Sequence, residues 1–123
     1  MSNPQKQQGT KFETWCATRA AFHGFTAYRL AEAGLKDPGD ILIHNPESDD
    51  RWIAECKATA NLNPHRTLAK AREKVENADL PYPVRGTVVI HKKLTRKDGN
   101  SRRSPDGEPI VVSMTLDDFL ELI

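Results

Sequence analysis

Nowhere in the chain do apolar residues run on for more than a few positions, which excludes a transmembrane helix. The first eight residues, Met1-Ser2-Asn3-Pro4-Gln5-Lys6-Gln7-Gln8, hold no apolar stretch either. No secretory signal is expected there, and residues 1–8 read as a flexible lead. Cysteine is scarce: Cys16 and Cys56 each lie in an apolar segment. They read as buried free thiols in a reducing cytoplasm, not as a disulfide scaffold. The four histidines, His23, His44, His65 and His91, lack zinc-type spacing, which argues against a structural zinc site. Aromatics are few, and Phe12, Trp15, Phe25 and Trp52 are expected in the core and not in a base-stacking platform. No internal repeat is visible. What is there is 123 residues of ordinary composition, 37% apolar and 28% charged. That is one domain, residues 1–123, with little room for a second core.

The net charge of +1 hides an asymmetry. Between Arg85 and Arg103 stand seven basic residues (Arg85, Lys92, Lys93, Arg96, Lys97, Arg102, Arg103) and one acid, Asp98. From Ser104 to Ile123 there are five acids and no base. The basic cluster is either a solvated loop or an arm that contacts phosphates, since grouped Lys and Arg are the electrostatic footprint of nucleic-acid binding.

Thr10-Lys11-Phe12-Glu13 has the form of a capping box, with Thr10 at the N-cap and Glu13 at N3. It predicts a helix burying Phe12, Trp15, Cys16 and Ala20, ended by His23-Gly24. Strands are predicted at 25–30, 41–44 and 51–57, the last two joined by the turn-rich segment 45–50. Asn63-Pro64 marks the start of a second helix with an apolar stripe through Leu68, Ala71, Val75 and Ala78. A buried-type strand follows at 86–91. Residues 97–107 read as a long mobile basic loop. A last strand is predicted at 109–114, and Thr115 caps a short C-terminal helix. The order α-β-β-β-α-β-β-α predicts a mixed α/β fold.

The chemistry-bearing residues sit on the predicted hairpin. Glu55 and Lys57 are two apart on a strand and share a face. If the strands pair around the 45–50 turn, His44 faces Arg51 and Asp40 faces Glu55. Opposed Cβ atoms then lie about 4.5–5.5 Å apart. Two carboxylates so placed repel each other, and a hard divalent cation removes the repulsion. Ile41, Ile43, Trp52, Ala54 and Cys56 fall on the opposite, apolar face. A cation held by Asp40 and Glu55, with Lys57 beside it, points to phosphodiester hydrolysis. The plainer alternative makes Asp40 a turn cap and Glu55–Lys57 a surface ion pair. His44 is at most a neighbour of the phosphate.

The order Gly9, Glu13, Gly24-Phe25, Tyr28-Arg29, Gly34, Asp40-Ile41 and Glu55-Cys56-Lys57 resembles the PD-(D/E)XK nuclease superfamily. Within it the pattern is most similar to the archaeal-type Holliday junction resolvases and their phage relatives. The resemblance covers residues 9–57 well, the helix from Arg66 to Ala78 and the strand ending at His91 loosely, and the C-terminal third poorly. It implies a restriction-endonuclease-like core, with a mixed β-sheet flanked by helices. It further implies catalytic residues Glu13, Asp40, Glu55 and Lys57, with Asp40, Glu55 and Glu13 as ligands of Mg²⁺, for which Mn²⁺ substitutes. Arg29 is placed near the scissile phosphate, and Lys92, Lys93, Arg96, Lys97, Arg102 and Arg103 are the expected DNA-binding residues. The implied partners are branched DNA and a second copy of the chain, with no membrane, in the cytoplasm of a prokaryotic or phage-infected cell. Other nucleases of the superfamily, or a binding module without catalysis, are the alternatives. One departure stands out: the family has proline directly before the aspartate, whereas here Gly39 separates Pro38 from Asp40.

Overall fold

The computed structural model describes residues 4–30, 37–97, 101–103 and 109–123, with 4–8, 95–97 and 101–103 described as backbone only. Gly34, and residues 98–100 and 104–107 of the expected loop, lie outside the described residues. The elements run α1 (Pro4–Phe22), β1 (Thr26–Arg29), β2 (Ile41–His44), β3 (Arg51–Thr59), α2 (Pro64–Asn77), β4 (Gly86–Lys93), β5 (Thr95–Lys97), β6 (Ser101–Arg103), β7 (Val111–Ser113) and α3 (Leu116–Leu122). The protein is α/β, with a mixed five-stranded sheet in the order β1-β2-β3-β4-β7 flanked by helices. No described helix is long and apolar enough to cross a membrane.

Alternation along the strands divides the core in two. Ile41 and Ala54 turn to one face and pack with Phe12 and Cys16 of α1 and with Val88. Leu42 and Ile53 turn to the other face and pack with Leu30, Val75 of α2, Leu80 and Tyr82. The β2–β3 register pairs His44 with Arg51 and Ile41 with Ala54, as the hairpin turn dictates. β3 and β4 are parallel and joined through α2, a connection that needs a long crossover. The Asn63 side chain caps α2 by accepting from the Arg66 N–H at 3.1 Å, and Thr115 caps α3 in the same way through Asp118 N–H. Cys16 and Cys56 are free, and their thiols meet between α1 and β3. The hydrogen bond to Cys16, then burial, pushes the Cys56 thiol far up from its ordinary range.

Four expectations need correction. α1 starts at Pro4, six residues ahead of Thr10, so residues 4–8 are helical and Thr10 is not an N-cap. Proline suits a first helical turn and Gln and Lys extend it well, so the helix runs through the apparent capping box. Within the segment expected as a mobile loop, Lys97 ends β5 and Ser101–Arg103 forms β6, the two antiparallel with Thr95 opposite Arg103. The last strand shortens to β7. Finally, Trp15 is 46% and Phe25 38% exposed, because α1 covers only part of its sheet face.

Gly39 has a stringent steric role. Its φ is +144°, and a Cβ there would lie 2.5 Å from Ile53 Cγ2. Strained backbone and overpacking in the core each cost about 1–3 kcal/mol. Gly39→Ala is therefore expected to destabilise the fold by about 3 kcal/mol or more, measured as a lower urea midpoint.

Candidate functional site

The site forms where the loop before β2 meets the middle of β3. Backbone bonds hold Asp40 on both sides: its N–H donates to the Ala54 carbonyl at 3.0 Å, and its carbonyl accepts from Leu30 N–H at 2.9 Å. Its Oδ2 accepts from the Cys56 N–H at 2.7 Å. Asp40 thus extends the β2–β3 register toward Glu55. Only 5% of Glu55 is exposed, an unusual burial for a carboxylate. The glycine that separates Pro38 from Asp40 packs beside this carboxylate, and the position a Cβ would take lies 3.8 Å from Glu55 Oε2, an ordinary contact.

The electrostatics follow from crowding acids in a dry place. Burial, then the nearby Glu13 carboxyl, pushes the Asp40 carboxyl up to about 6, against the Cys56 N–H. Burial and the Asp40 charge likewise raise Glu55, opposed by Lys74 and Lys57. Lys57 Nζ stands 3.7 Å from Glu55 Oε1, with 41% of the side chain exposed on the open side. Glu13, relieved of any capping duty, projects from mid-α1 and pairs with Arg29 at 3.3 Å. Four expected residues, Glu13, Asp40, Glu55 and Lys57, are therefore linked in one neighbourhood, with Arg29 attached through Glu13.

Sequence reasoning missed Lys74. Its Nζ lies 3.1 Å from Glu55 Oε1 and 3.3 Å from Asp37 Oδ2. Burial works to lower its pKa, but the Glu55 and Asp37 carboxylates outweigh it and the net shift is upward. A signal was present: Ala71, Lys74, Val75 and Ala78 recur at helical spacing, so a lysine shares the sheet-facing row of α2.

The basic residues divide. Arg85 is committed to α3 through Asp118 at 3.5 Å and through Glu121, and its guanidinium lies over the Trp52 ring. Lys92 and Lys93 end β4, registered with Ala58 and Thr59, just beyond the Lys57–His91 pair. The backbones of Arg96, Lys97, Arg102 and Arg103 belong to β5 and β6, while their side chains lie outside the described residues. His44 is engaged with Asp49 at 2.7 Å, at the far end of β2 from Asp40.

One atom speaks to what the site would take. Glu55 Oε2 is buried and has no hydrogen-bond partner in the structure, an expensive state for a carboxylate oxygen. With the Asp40 carboxyl close by, this donor set fits a small hard cation that keeps water ligands. Among the described residues, no group of three or more His, Cys, Asp or Glu side chains is placed to hold a metal ion. No protein-family model matches the chain, and no curated protein or solved structure matches it.

Proposed function

We propose that the protein is a divalent-metal-dependent DNA endonuclease with a restriction-endonuclease-like core, acting in the cytoplasm on branched DNA, with the four-way junction as its preferred substrate. The observation that carries this reading is the buried, partnerless Oε2 of Glu55, beside Asp40 and one strand step from Lys57. A scaffold without chemistry gains nothing from that arrangement. Asp40 and Glu55 would hold the cation, with Glu13 at its edge; when bound, Mg²⁺ polarises a phosphoryl oxygen and acidifies a water. Lys57 meets the charge that develops on the phosphate from the solvent side. Arg29 holds Glu13 and adds positive charge to the same rim. Beyond Lys57, Lys92 and Lys93 end β4 and add charge suited to phosphates, which reads shape and not sequence, and Arg96, Lys97, Arg102 and Arg103 are the further expected DNA contacts.

Resolving a junction takes two cuts, and the described residues of one chain hold one such site. Two copies related by a two-fold axis supply both. An unusually apolar surface is available for that pairing, with Val112, Leu116, Phe119, Leu120 and Ile123 all exposed. Beside it lies an open groove of about 880 Å³ between α1 and the β4–β7 side of the sheet, lined by Trp15, Ile90 and Met114 among others.

The test is incubation with four-way, flapped, duplex and single-stranded DNA, with Mg²⁺ or with chelator, alongside sedimentation of the protein. Metal-dependent cleavage that favours the junction, by a particle of twice the 13.8 kDa chain mass, supports the reading. A monomer cutting duplex as fast as junction leaves only a general nuclease, and binding without cleavage under any divalent ion leaves a binding module.

Proton linkage gives a second check. Burial raises the Asp40 carboxyl to about 6 in the folded chain, against 3.8 for an ordinary aspartate. The folded state then binds more protons between those values, so metal-free stability is expected to fall as pH rises from about 4 to 6. Mg²⁺ needs the ionised carboxylates and is expected to raise the melting temperature at about pH 7.5 but not at about pH 5. Asp40→Asn should weaken the first effect, leaving the share that buried Glu55 contributes, and remove the second, in a thermal melt.

A further inference from the structure

The lysine supplied by α2 is poorly explained as an ordinary surface ion pair, because the carboxylate it holds is buried and the bond uses one oxygen selectively. Lys74 Nζ takes Oε1 of Glu55 at 3.1 Å and leaves Oε2 without a partner. The same ammonium reaches Asp37 Oδ2 at 3.3 Å, and Asp37 Oδ1 accepts from the Gly39 N–H at 3.2 Å. Lys74 therefore braces α2, the loop that delivers Asp40, and the central strand that carries Glu55.

We propose that Lys74 is a positioning residue that sets which cation the site accepts: by holding Oε1 it restricts Glu55 to a single donor oxygen, which suits Mg²⁺ and disfavours Ca²⁺. This rests on the metal-site part of the reading above, and not on DNA cleavage. The physical reason is coordination preference. Mg²⁺ is small, keeps several waters and is satisfied by one oxygen from each carboxylate. Ca²⁺ takes more ligands at longer distance and readily engages both oxygens of one carboxylate. The Lys74 ammonium, hydrogen-bonded to Oε1 at 3.1 Å, closes that second position, whereas Lys57 stands 3.7 Å away, beyond hydrogen-bond reach. Its positive charge also weakens binding of either ion, since like charges a few ångströms apart repel even through a partly wet environment. Substituting the lysine by an apolar chain of similar length thus has two separable effects: both ions bind more tightly, and Ca²⁺ gains more than Mg²⁺.

The experiment is calorimetric titration of the full chain, free of DNA, with MgCl₂ and with CaCl₂ at about pH 8, above the value of about 6 to which burial raises the Asp40 carboxyl. Lys74→Met is expected to shift the ratio of the two dissociation constants toward Ca²⁺ by about tenfold, or about 1.4 kcal/mol. Lys74→Gln keeps a donor for Oε1 but loses the charge, so both affinities should rise with the ratio unchanged. A purely structural lysine would move neither the ratio nor the split between these variants. If Lys74→Met does not fold by circular dichroism, Lys74→Ala carries the same expectation as Met. An unchanged ratio in the apolar variant overturns the proposal. Wild-type protein that binds neither ion overturns both the proposal and the metal site, whereas Mg²⁺ binding with no cleavage of any DNA overturns the nuclease reading and leaves the Lys74 test standing.

Discussion

Glu55→Gln is expected to reduce DNA cleavage by about a thousandfold or more while leaving DNA binding largely intact. The substitution keeps the volume of a 5% exposed side chain and removes only its charge. An amide is a poor ligand for a hard cation, and it leaves Asp40, with Glu13 at the edge, as the carboxylates of the site. Asp40→Ala should produce the same loss. That variant also frees the Cys56 N–H, now bonded to Oδ2 at 2.7 Å, so it should lose stability that Glu55→Gln does not. Single-turnover cleavage of a labelled junction, paired with gel retardation without metal, separates chemistry from affinity. Full cleavage by Glu55→Gln would reject the mechanism, since no other described carboxylate occupies the interior of β3.

Lys57→Met should lower turnover by about 10²–10³-fold with little change in affinity for DNA. Lys57 and Lys74 flank the same Oε1, but with different expected consequences. Lys57 acts on charge that appears only in the transition state, so its loss is felt in kcat and hardly in KM. Partial rescue by Lys57→Arg would identify charge as the essential property. A Lys57→Met variant with wild-type turnover would make this lysine a spectator and remove the strongest link between strand and reaction.

Local features were legible in the sequence because their causes are local. The β2–β3 register follows from a turn six residues long and an alternation that only one pairing keeps apolar on one side, so Asp40 came out opposite Glu55. Asn63 and Thr115 announced their helices because a capping side chain acts within three residues. The start of α1 was misread because a helix can pass through a capping-box pattern when the preceding residues are also good helix formers. Lys74 and Glu55 are 19 residues apart, and their meeting depends on how α2 seats on the sheet, which no local pattern encodes. The exposure of Trp15 and Phe25 depends likewise on how much of a face α1 can reach. Gly39 looked like a departure from a motif. Its reason, an Ile53 methyl group where a side chain would go, lies in the packing of a strand not adjacent in sequence.

The parallel pairing of β3 with β4 has a consequence for how far the chain can be shortened. Every side chain placed at the site, from Glu13 to Lys74, precedes β4, and the β1–β2–β3 meander is built from neighbours in sequence. A fragment ending after α2 would contain all of those groups. Yet β3 would then be an open edge, its outward N–H and C=O groups unpaired along the Trp52–Thr59 stretch that now bonds to β4. Glu55 would sit on the rim of a small sheet in contact with water, its burial and its raised pKa both lost. The half of the molecule that lends no side chain to the site is what gives the site an interior.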